Sequence, residues 1–191
     1  MTYCTAEQAK SYLGITTTTD DVLIWSLIEA AQASIDLHTH RTFEASADTE
    51  RTFDAVADVH GAVLDLDKDL CAITSITNGD GTTVTAAQYV TEPRNGTPYN
   101  AIKIRSDADI VWTYTDYHED AITIDGRWAY STTAPDDIGF ICQRYVAWLY
   151  RQRENRTGDD DRTIIAGNAT LLPSTIPADI QAALRPYVRR L

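Results

Sequence analysis

The spacing of apolar residues changes twice along this chain, and these two changes constrain the fold more than any other feature. In the first 40 residues apolar side chains recur every three or four positions, as at Ile24, Leu27 and Ile28. This spacing is typical of an amphipathic helix. Between residues 42 and 133 apolar and polar residues alternate, as in half-buried strands. From residue 135 the helical spacing returns. The chain is therefore predicted to be helical at both ends and β-structured between them.

Two helices are predicted before the β region. Thr5-Ala6-Glu7-Gln8 has the pattern of a capping box, and Gly14 is typical of the end of a helix. A second, longer helix begins after Thr19 or Asp20, either of which supplies a capping oxygen. Its apolar stripe is predicted to comprise Ile24, Leu27, Ile28, Ala31, Ile35 and His38.

Alternating runs in the middle region predict about six to eight short strands, which indicates a small antiparallel sandwich or barrel. The clearest runs cover residues 63–67, 72–76, 101–105, 110–115 and 121–125. Sequences that contain glycine beside aspartate or asparagine predict turns between strands. They lie at residues 78–81, 94–96 and 125–126.

The C-terminal region predicts two more helices, a long one from Pro135 to about Asn155 and a short one from Pro177 to Leu184, with a loop between them at 157–169. The stripe of the long helix is Ile138, Ile141, Cys142, Tyr145, Val146 and Leu149. Neither end of the chain can bury its stripe alone. The predicted fold class is therefore α+β, a small helical bundle formed by both chain ends, residues 1–41 and 134–191, with an inserted antiparallel β sandwich or barrel at 42–133.

The charge of the chain is acidic and unevenly distributed. The formal net charge is −12, which argues against a free-standing nucleic-acid binder, because phosphate binding depends on clustered lysine and arginine. Residues 141–191 are the exception, with 8 basic and 5 acidic side chains. This asymmetry indicates that the two regions meet different partners.

The cysteines and the N-terminus indicate a cytosolic protein. Cys4, Cys71 and Cys142 are odd in number and widely spaced, which argues against a disulfide framework or a zinc site. The N-terminal sequence lacks the pattern of a signal peptide. No apolar run approaches the roughly 20 residues of a membrane span.

The sequence predicts no enzyme, no cofactor and no metal site, because none of the common catalytic motifs occurs in it. His38 and His40 lie two positions apart and point away from each other on a helix. Asp65, Asp67 and Asp69 would line one face of a strand, which is interpreted as a solvated face rather than a cation site. With 28 acidic residues, no carboxylate pair for hydrolysis can be singled out.

Nine short segments of the chain, taken in order, form a recognisable pattern. They are Ala6–Ile15, Asp20–Asp21, Leu27–Ala31, Arg41–Phe43, Ile124–Ser131, Pro135–Ile138, Trp148–Arg153, Ile176–Ile180 and Tyr187–Arg190. Their order, more than any single segment, resembles the head–tail connector (adaptor) family of long-tailed bacteriophages, and in particular its longer members with an inserted β domain. The segments lie in both helical ends and at the exit of the β region, so the resemblance extends over about half of the chain.

The resemblance implies a structural subunit of the virion neck, assembled in the cytoplasm of the bacterial host. Such subunits form a ring, typically of twelve, that joins the portal protein to a stopper or tail-side neck protein. DNA passes through the ring without sequence recognition, and no membrane is involved. The C-terminal segment of the family reaches towards the portal and inserts among its subunits. The corresponding candidate portal-binding residues here are Leu171, Leu172, Ile176, Arg185, Tyr187, Arg189, Arg190 and Leu191.

Two alternatives remain open at the level of sequence. One is another neck component, a stopper or a tail terminator, although these are smaller or more wholly β. The other is a carbohydrate- or surface-binding module built on the β region. That module needs exposed aromatic side chains on one sheet face. The candidates are Trp112, Tyr114, Tyr117 and Trp128.

Overall fold

The computed structural model describes residues 2–154 and 176–189, and it confirms the predicted α+β class. The chain divides into a helical unit, Met1–His40 with Pro135–Leu191, and a β unit, Arg41–Ala134. The helices are α1 (Ala6–Leu13), α2 (Asp21–Thr39), α3 (Asp136–Glu154) and α4 (Ala178–Leu184), the last followed by a 3₁₀ turn at Arg185–Tyr187. The strands are β1 (Thr49–Phe53), β2 (Val59–His60), β3 (Val63–Leu70), β4 (Ala72–Thr77), β5 (Tyr89–Glu92), β6 (Tyr99–Ile104) and β7 (Ile122–Arg127).

Helix α1 begins and ends as its sequence predicts. The Thr5 hydroxyl accepts a hydrogen bond from the Gln8 amide at 3.1 Å, and the Gln8 side chain accepts one from the Thr5 amide at 2.8 Å. Gly14 ends the helix in the left-handed conformation, with φ +75°. A residue with a Cβ would be strained at this φ, so glycine fits the position.

Helix α2 buries the predicted stripe, with one exception. Ile24, Leu27, Ile28, Ala31 and Ile35 are all buried. The predicted last member, His38, is wrong, because Thr39 occupies the buried position and its hydroxyl donates to the Ile35 carbonyl at 2.8 Å. The capping prediction is also corrected. Asp20 precedes the helix but makes no capping bond, and its carboxylate accepts a hydrogen bond from the Tyr150 hydroxyl of α3 at 2.8 Å.

The two ends of the chain pack together in the helical unit, as their one-sided stripes require. All six predicted stripe residues of α3 are buried, and α3 contacts α1, α2 and α4. The described part of the C-terminal segment is docked on this bundle, since Ile180 and Leu184 are buried. The predicted short helix at Pro177–Leu184 forms as α4, Ala178–Leu184.

A small buried cluster joins the N-terminus to α2 and α3. The Tyr3 hydroxyl donates a hydrogen bond to the Asp36 carboxylate, and a hydrogen bond of 3.4 Å joins the sulfur atoms of Cys4 and Cys142. The hydrogen bond with Cys4, together with burial, raises the pKa of the Cys142 thiol, which therefore stays protonated. Burial raises the pKa of Asp36 to about 6, and the hydrogen bond from Tyr3 only partly offsets this.

The raised pKa of Asp36 predicts a stability that falls as the pH rises. Between the ordinary value of 3.8 and about 6 the folded state holds a proton on Asp36 that the unfolded state has lost. The Asp36→Asn variant keeps an acceptor for Tyr3 and removes the buried charge. We expect it to be more stable than the wild type by about 1–2 kcal/mol at neutral pH and equally stable near pH 4, measured by urea unfolding. Glu29→Gln, an exposed change on the same helix, is the control. Parallel pH profiles of Asp36→Asn and the wild type would contradict the prediction.

The β unit consists of two antiparallel sheets that share one apolar core. One sheet has the order β1-β7-β4, and the other has the order β2-β3-β6-β5. Buried residues from both sheets form a single cluster. It includes Phe53, Leu64, Ile76, Ile102 and Ile124. The arrangement is that of a small sandwich, and the predicted turns at 78–81 and 94–96 both form.

Two local predictions in the β unit are wrong. Residues 110–115 form no strand, and only Tyr114 makes an isolated bridge, to Gly79. Residues 125–126 form no turn but lie inside β7, where Gly126 pairs with Thr49 on one side and Ile73 on the other. A Cβ on Gly126 would lie 2.3 Å from the Ala72 carbonyl oxygen. The glycine therefore permits a close approach of strands rather than a change of direction.

The three alternating aspartates of β3 do not share one face. The register of β3 against β6 shifts between Asp65 and Leu70, and the shift turns Asp69 inward. Asp69 is only 6% exposed and forms an ion pair of 2.6 Å with Arg41. Asp65 and Asp67 remain exposed. The predicted solvated face is thus correct for two of the three carboxylates.

The first and last segments of the β unit are held against each other. Phe43 and Tyr130 pack ring against ring, with centroids 5.6 Å apart. The Tyr130 amide donates to the Thr42 carbonyl at 2.8 Å, and the Ala45 amide donates to the Ser131 carbonyl at 3.2 Å. The chain therefore enters and leaves the β unit at neighbouring positions.

Candidate interaction surfaces

The candidate portal-binding residues divide into two groups. Leu171, Leu172, Arg190 and Leu191 lie outside the described residues. Arg185 is exposed, and Ile176 is half-buried. Tyr187 and Arg189 are fixed to the helical unit, because the Tyr187 hydroxyl donates to Asp137 and the Arg189 amide donates to the Thr39 carbonyl at 2.9 Å. Of the four described candidates, Arg185 is the best placed to meet a partner.

A cleft of about 250 Å³ lies on the helical unit between α1, α3 and the start of α4. Its walls combine aromatic, apolar and cationic side chains. They include Tyr12, Arg144, Trp148, Arg151, Pro177 and Ile180. Phe140 extends the apolar rim, since its exposed ring packs edge-on against Tyr12 at 5.9 Å.

The two arginines of this cleft differ in their partners. Arg144 forms an ion pair with Asp179 of α4, so its charge is already balanced. Arg151 is exposed and forms no ion pair with any residue in the described part of the chain. The cleft therefore offers one uncompensated cation beside apolar and aromatic surface. Tyrosine, tryptophan and arginine are the residues that contribute most at protein interfaces.

An acidic loop between β6 and β7 is the second unusual surface. Residues 106–121 contain five carboxylates and no lysine or arginine. The loop also exposes large apolar side chains, with Tyr117 80% exposed and Val111 71% exposed. Asp109 and Asp116 are exposed and have no ion-pair partner among the residues that the structure describes. We call residues 106–121 the acidic loop.

The acidic loop has little secondary structure, yet it is anchored to the β unit along its length. The Trp112 indole donates to the Ala62 carbonyl at 3.0 Å, and its ring is only 8% exposed. The Asn78 side chain donates to the Val111 carbonyl at 2.8 Å and accepts from the Thr113 amide at 3.1 Å. These contacts fix the backbone on which the exposed side chains stand.

The far side of the acidic loop is held by His118 and Asp54. A ring nitrogen of His118, Nδ1, lies 2.9 Å from the Asp54 carboxylate, and the His118 carbonyl accepts from the Ala55 amide at 2.9 Å. Hydrogen bonds from the Ala57 and Val56 amides, with a smaller contribution from His118, lower the pKa of Asp54. Asp54 therefore stays ionised and remains a partner for the His118 ring. Tyr117 lies between the two anchored ends.

The other sequence candidates do not form a site. Trp112 is buried, and Trp128 is half-buried with its indole bonded to the Thr49 carbonyl at 2.9 Å. Tyr114 and Tyr117 stand on the acidic loop rather than on a sheet, so these four side chains form no flat sugar platform. Within residues 2–154 and 176–189, no cluster of potential metal ligands occurs. None of the described helices is long and apolar enough to span a membrane.

Comparisons with known proteins show what this chain is similar to in sequence and in fold. Residues 4–71, a little over a third of the chain, match the model of the phage gp6-like head–tail connector family. This match covers α1, α2 and the first three strands. Over these residues the match agrees with the resemblance seen in the sequence. No protein with a curated description matches the sequence.

Solved structures match the fold of both units. A chain from the neck of an empty gene transfer agent particle is 15% identical, with a TM-score of 0.58 over 97% of this chain and 90% of that one. A chain from the virion of the native particle is 16% identical, with a TM-score of 0.59 over the same shares. A chain from the native neck, computed with C12 symmetry, is 14% identical, with a TM-score of 0.51 over 88% and 84%. The β region is thus part of a fold that these chains share.

Sequence reasoning missed the cleft and misread the acidic loop. The cleft assembles residues more than 100 positions apart, Tyr12 and Trp148, and no spacing rule brings them together. The acidic loop had a visible signal, because a run of 16 residues with five acids and no base is unusual in a packed strand. The alternation of Ile110, Trp112 and Tyr114 masked that signal.

Proposed function

We propose that this chain is a head–tail connector (adaptor) subunit that forms a ring between the portal and the tail-side neck protein. The observation that carries the proposal is the coincidence of two matches. The connector family model covers the N-terminal helices, and the fold of nearly the whole chain matches chains of gene transfer agent particles, two of them from the neck. A structural role in the neck accounts for both.

A ring is favoured by the symmetry of the similar structures. The neck structures that contain them were computed with C6 and C12 symmetry. Closed rings of identical subunits use one heterologous contact repeated around an axis. We propose twelve copies in the virion. The net charge of −12 on each subunit would repel the phosphates of DNA, so that DNA slides through the ring without being held.

The portal contact is proposed to lie in the C-terminal segment. The candidates are Leu171, Leu172, Ile176, Arg185, Tyr187, Arg189, Arg190 and Leu191. The basic character of this region would complement an acidic portal surface. Truncation of the whole segment is a poor test, because Ile180 and Leu184 are core residues whose burial stabilises the bundle by about 1.5–3 kcal/mol each. A point change at exposed Arg185 leaves the core intact.

We expect Arg185→Glu to weaken binding to the portal encoded beside this protein without changing the stability of the subunit. The reversal replaces attraction by repulsion at the proposed contact, and a loss of roughly tenfold or more in affinity is expected. Arg94→Glu, which reverses an exposed charge in the turn between β5 and β6, should bind as the wild type does. Pull-down and negative-stain imaging with the portal ring measure the effect. Failure of the wild-type chain to bind a well-formed portal ring would overturn the proposed function, and equal binding by both variants would exclude Arg185 from the contact.

A further inference from the structure

We propose that two copies of this chain meet through the cleft of one copy and the acidic loop of the next. The inference deepens the proposed function, since it names the contact that would build the ring. The cleft surface is basic and aromatic, and the acidic loop is acidic with exposed apolar side chains. Each surface is complementary to the other rather than to itself.

The charges of the two surfaces are opposite in sign. Among the residues that the structure describes, Arg151 in the cleft and Asp109 and Asp116 in the acidic loop have no ion-pair partner. Bringing an arginine against carboxylates while excluding water gives charge-assisted hydrogen bonds, which are stronger than neutral ones. Two copies facing each other with like surfaces would instead place arginine against arginine. Electrostatics thus favours the contact between unlike surfaces.

Both surfaces also present aromatic side chains, which can pack against each other. Tyr117 projects from the acidic loop with 80% of its surface exposed, an unusual state for a tyrosine. The cleft has a volume of about 250 Å³, on the scale of one large aromatic side chain, and its walls carry Trp148 and Tyr12. Insertion of Tyr117 would bury its ring against other aromatic rings and leave its hydroxyl near the arginines. A buried aromatic anchor surrounded by polar contacts is the usual centre of an interface.

The anchoring of the acidic loop lowers the cost of this contact. Ordering a flexible loop on binding costs conformational entropy for each side chain that is immobilised. Here Trp112, Asn78 and Asp54 already hold the loop in the isolated subunit. Gly79 contributes to the same end, because a Cβ there would lie 2.5 Å from the Thr113 carbonyl oxygen. The loop is therefore presented in a fixed shape, as a repeated ring contact requires.

A linear assembly built through this contact has a free cleft on the subunit at one end and a free acidic loop on the subunit at the other end. Such an assembly grows until the rotation between neighbours closes a ring. A nucleic acid is a poorer occupant of the cleft. Phosphate binding draws on several cations, whereas Arg144 is already paired with Asp179 and Arg151 is the only other cation among the described residues that line the cleft.

Cross-linking between two singly substituted proteins tests the contact directly. Tyr117→Cys carries one affinity tag and Arg151→Cys carries another, and the two are mixed and treated with a short bismaleimide. Cys71, the half-buried native thiol, is replaced by serine in every protein, and Cys4 and Cys142 are buried. We expect a heterodimer and no larger product, because each protein then carries a single accessible cysteine. Arg94→Cys and Glu29→Cys are matched exposed controls in the same two units. The expected yield is roughly tenfold above that of the control pairs, as for any specific contact over random collision.

The same mixture with the portal ring present separates this inference from the proposed function. A specific heterodimer without any portal binding would support the contact and remove the connector role. A portal-bound stack in which no pair cross-links above control would overturn the contact and leave the connector role standing. Cross-linking of Arg151→Cys to the portal would assign the cleft to the portal and also overturn the inference.

Charge reversal is a second measurement. Arg151→Glu should abolish the association between two copies of the chain, and Asp116→Arg on the partner copy should restore it.

Discussion

Replacing Asp69 with alanine should lower the free energy of unfolding of the β unit by about 3–5 kcal/mol, the cost of leaving one member of a buried ion pair without its partner. Asp69 and Arg41 are 2.6 Å apart, with side chains only 6% and 17% exposed. Arg41 cannot lose its proton, and its Nε is already buried without a hydrogen-bond acceptor in the described structure. Removal of the carboxylate would therefore strand a full charge in the protein interior.

The matched control is Asp67→Ala, two positions away on β3. Asp67 also pairs with an arginine, Arg51, but it is 53% exposed, and solvent screens the pair. Its loss should cost about 0–1 kcal/mol. Urea unfolding followed by tryptophan fluorescence measures both, because Trp112 and Trp128 lie in the β unit. Arg41→Met in the Asp69→Ala background should recover much of the lost stability. Equal effects of the two alanine variants would show that Asp69 is hydrated and that the pair is not buried in solution.

Replacing Gly126 with alanine is the second change for which we expect a large effect. A Cβ at this position would lie 2.3 Å from the Ala72 carbonyl oxygen and 3.0 Å from the Leu70 Cδ1. The leucine side chain can rotate, but the backbone oxygen cannot move without breaking the pairing of β4 with β7. We expect a loss of about 3 kcal/mol or more, because overpacking against a fixed backbone is not relieved by rotamer changes.

Thermal unfolding provides the measurement for Gly126→Ala. A loss of that size lowers the Tm of a domain of this size by about 10 °C or more. Gly96→Ala is the control, since a Cβ there meets no atom within 4 Å and the residue has no left-handed φ. It should change the stability by less than about 0.5 kcal/mol. A mild effect of Gly126→Ala would mean that β7 can slide away from β4 and that the central pairing of this sheet is looser than the register indicates.

The fold class could be predicted because it depends on patterns that are local in sequence. The capping box at Thr5, the left-handed glycine at position 14 and the stripe from Ile24 to Ile35 each act within a few residues, and each is confirmed. The change of period at both ends of the β region is a local signal too. Amphipathic periodicity reports which face of an element is buried, whatever it packs against.

The errors came from features that depend on contacts distant in sequence. Gly126 resembles a turn residue until Ala72 is placed against it, and Asp69 resembles an exposed residue until the register shift in β3 turns it inward. Trp112 alternates with its neighbours as in a strand, but the Asn78 side chain takes the hydrogen bonds that a partner strand would make. Rules that use only the local sequence cannot predict these contacts, because the residues involved lie far apart in the chain.

The candidate interaction surfaces were the least predictable part of the molecule. The portal-binding residues came from family resemblance alone and stay a prediction. The acidic loop could have been found from its charge, since acids without counterions rarely lie in a core. The cleft could not, because Tyr12, Trp148 and Pro177 meet only after the helices pack.

The first and last segments of the β unit contact each other. Phe43 packs on Tyr130, and the Ala45 amide donates a hydrogen bond to the Ser131 carbonyl. We call the region that these contacts close, the whole β unit, a cassette. Both of its ends leave from one place, so its excision would leave a gap that a few residues can bridge. Closing a long loop costs little more than closing a short one, because the entropy grows only with the logarithm of length. Replacing the cassette with a short linker is therefore expected to add little loop-closure entropy to the free energy of folding of the helical unit.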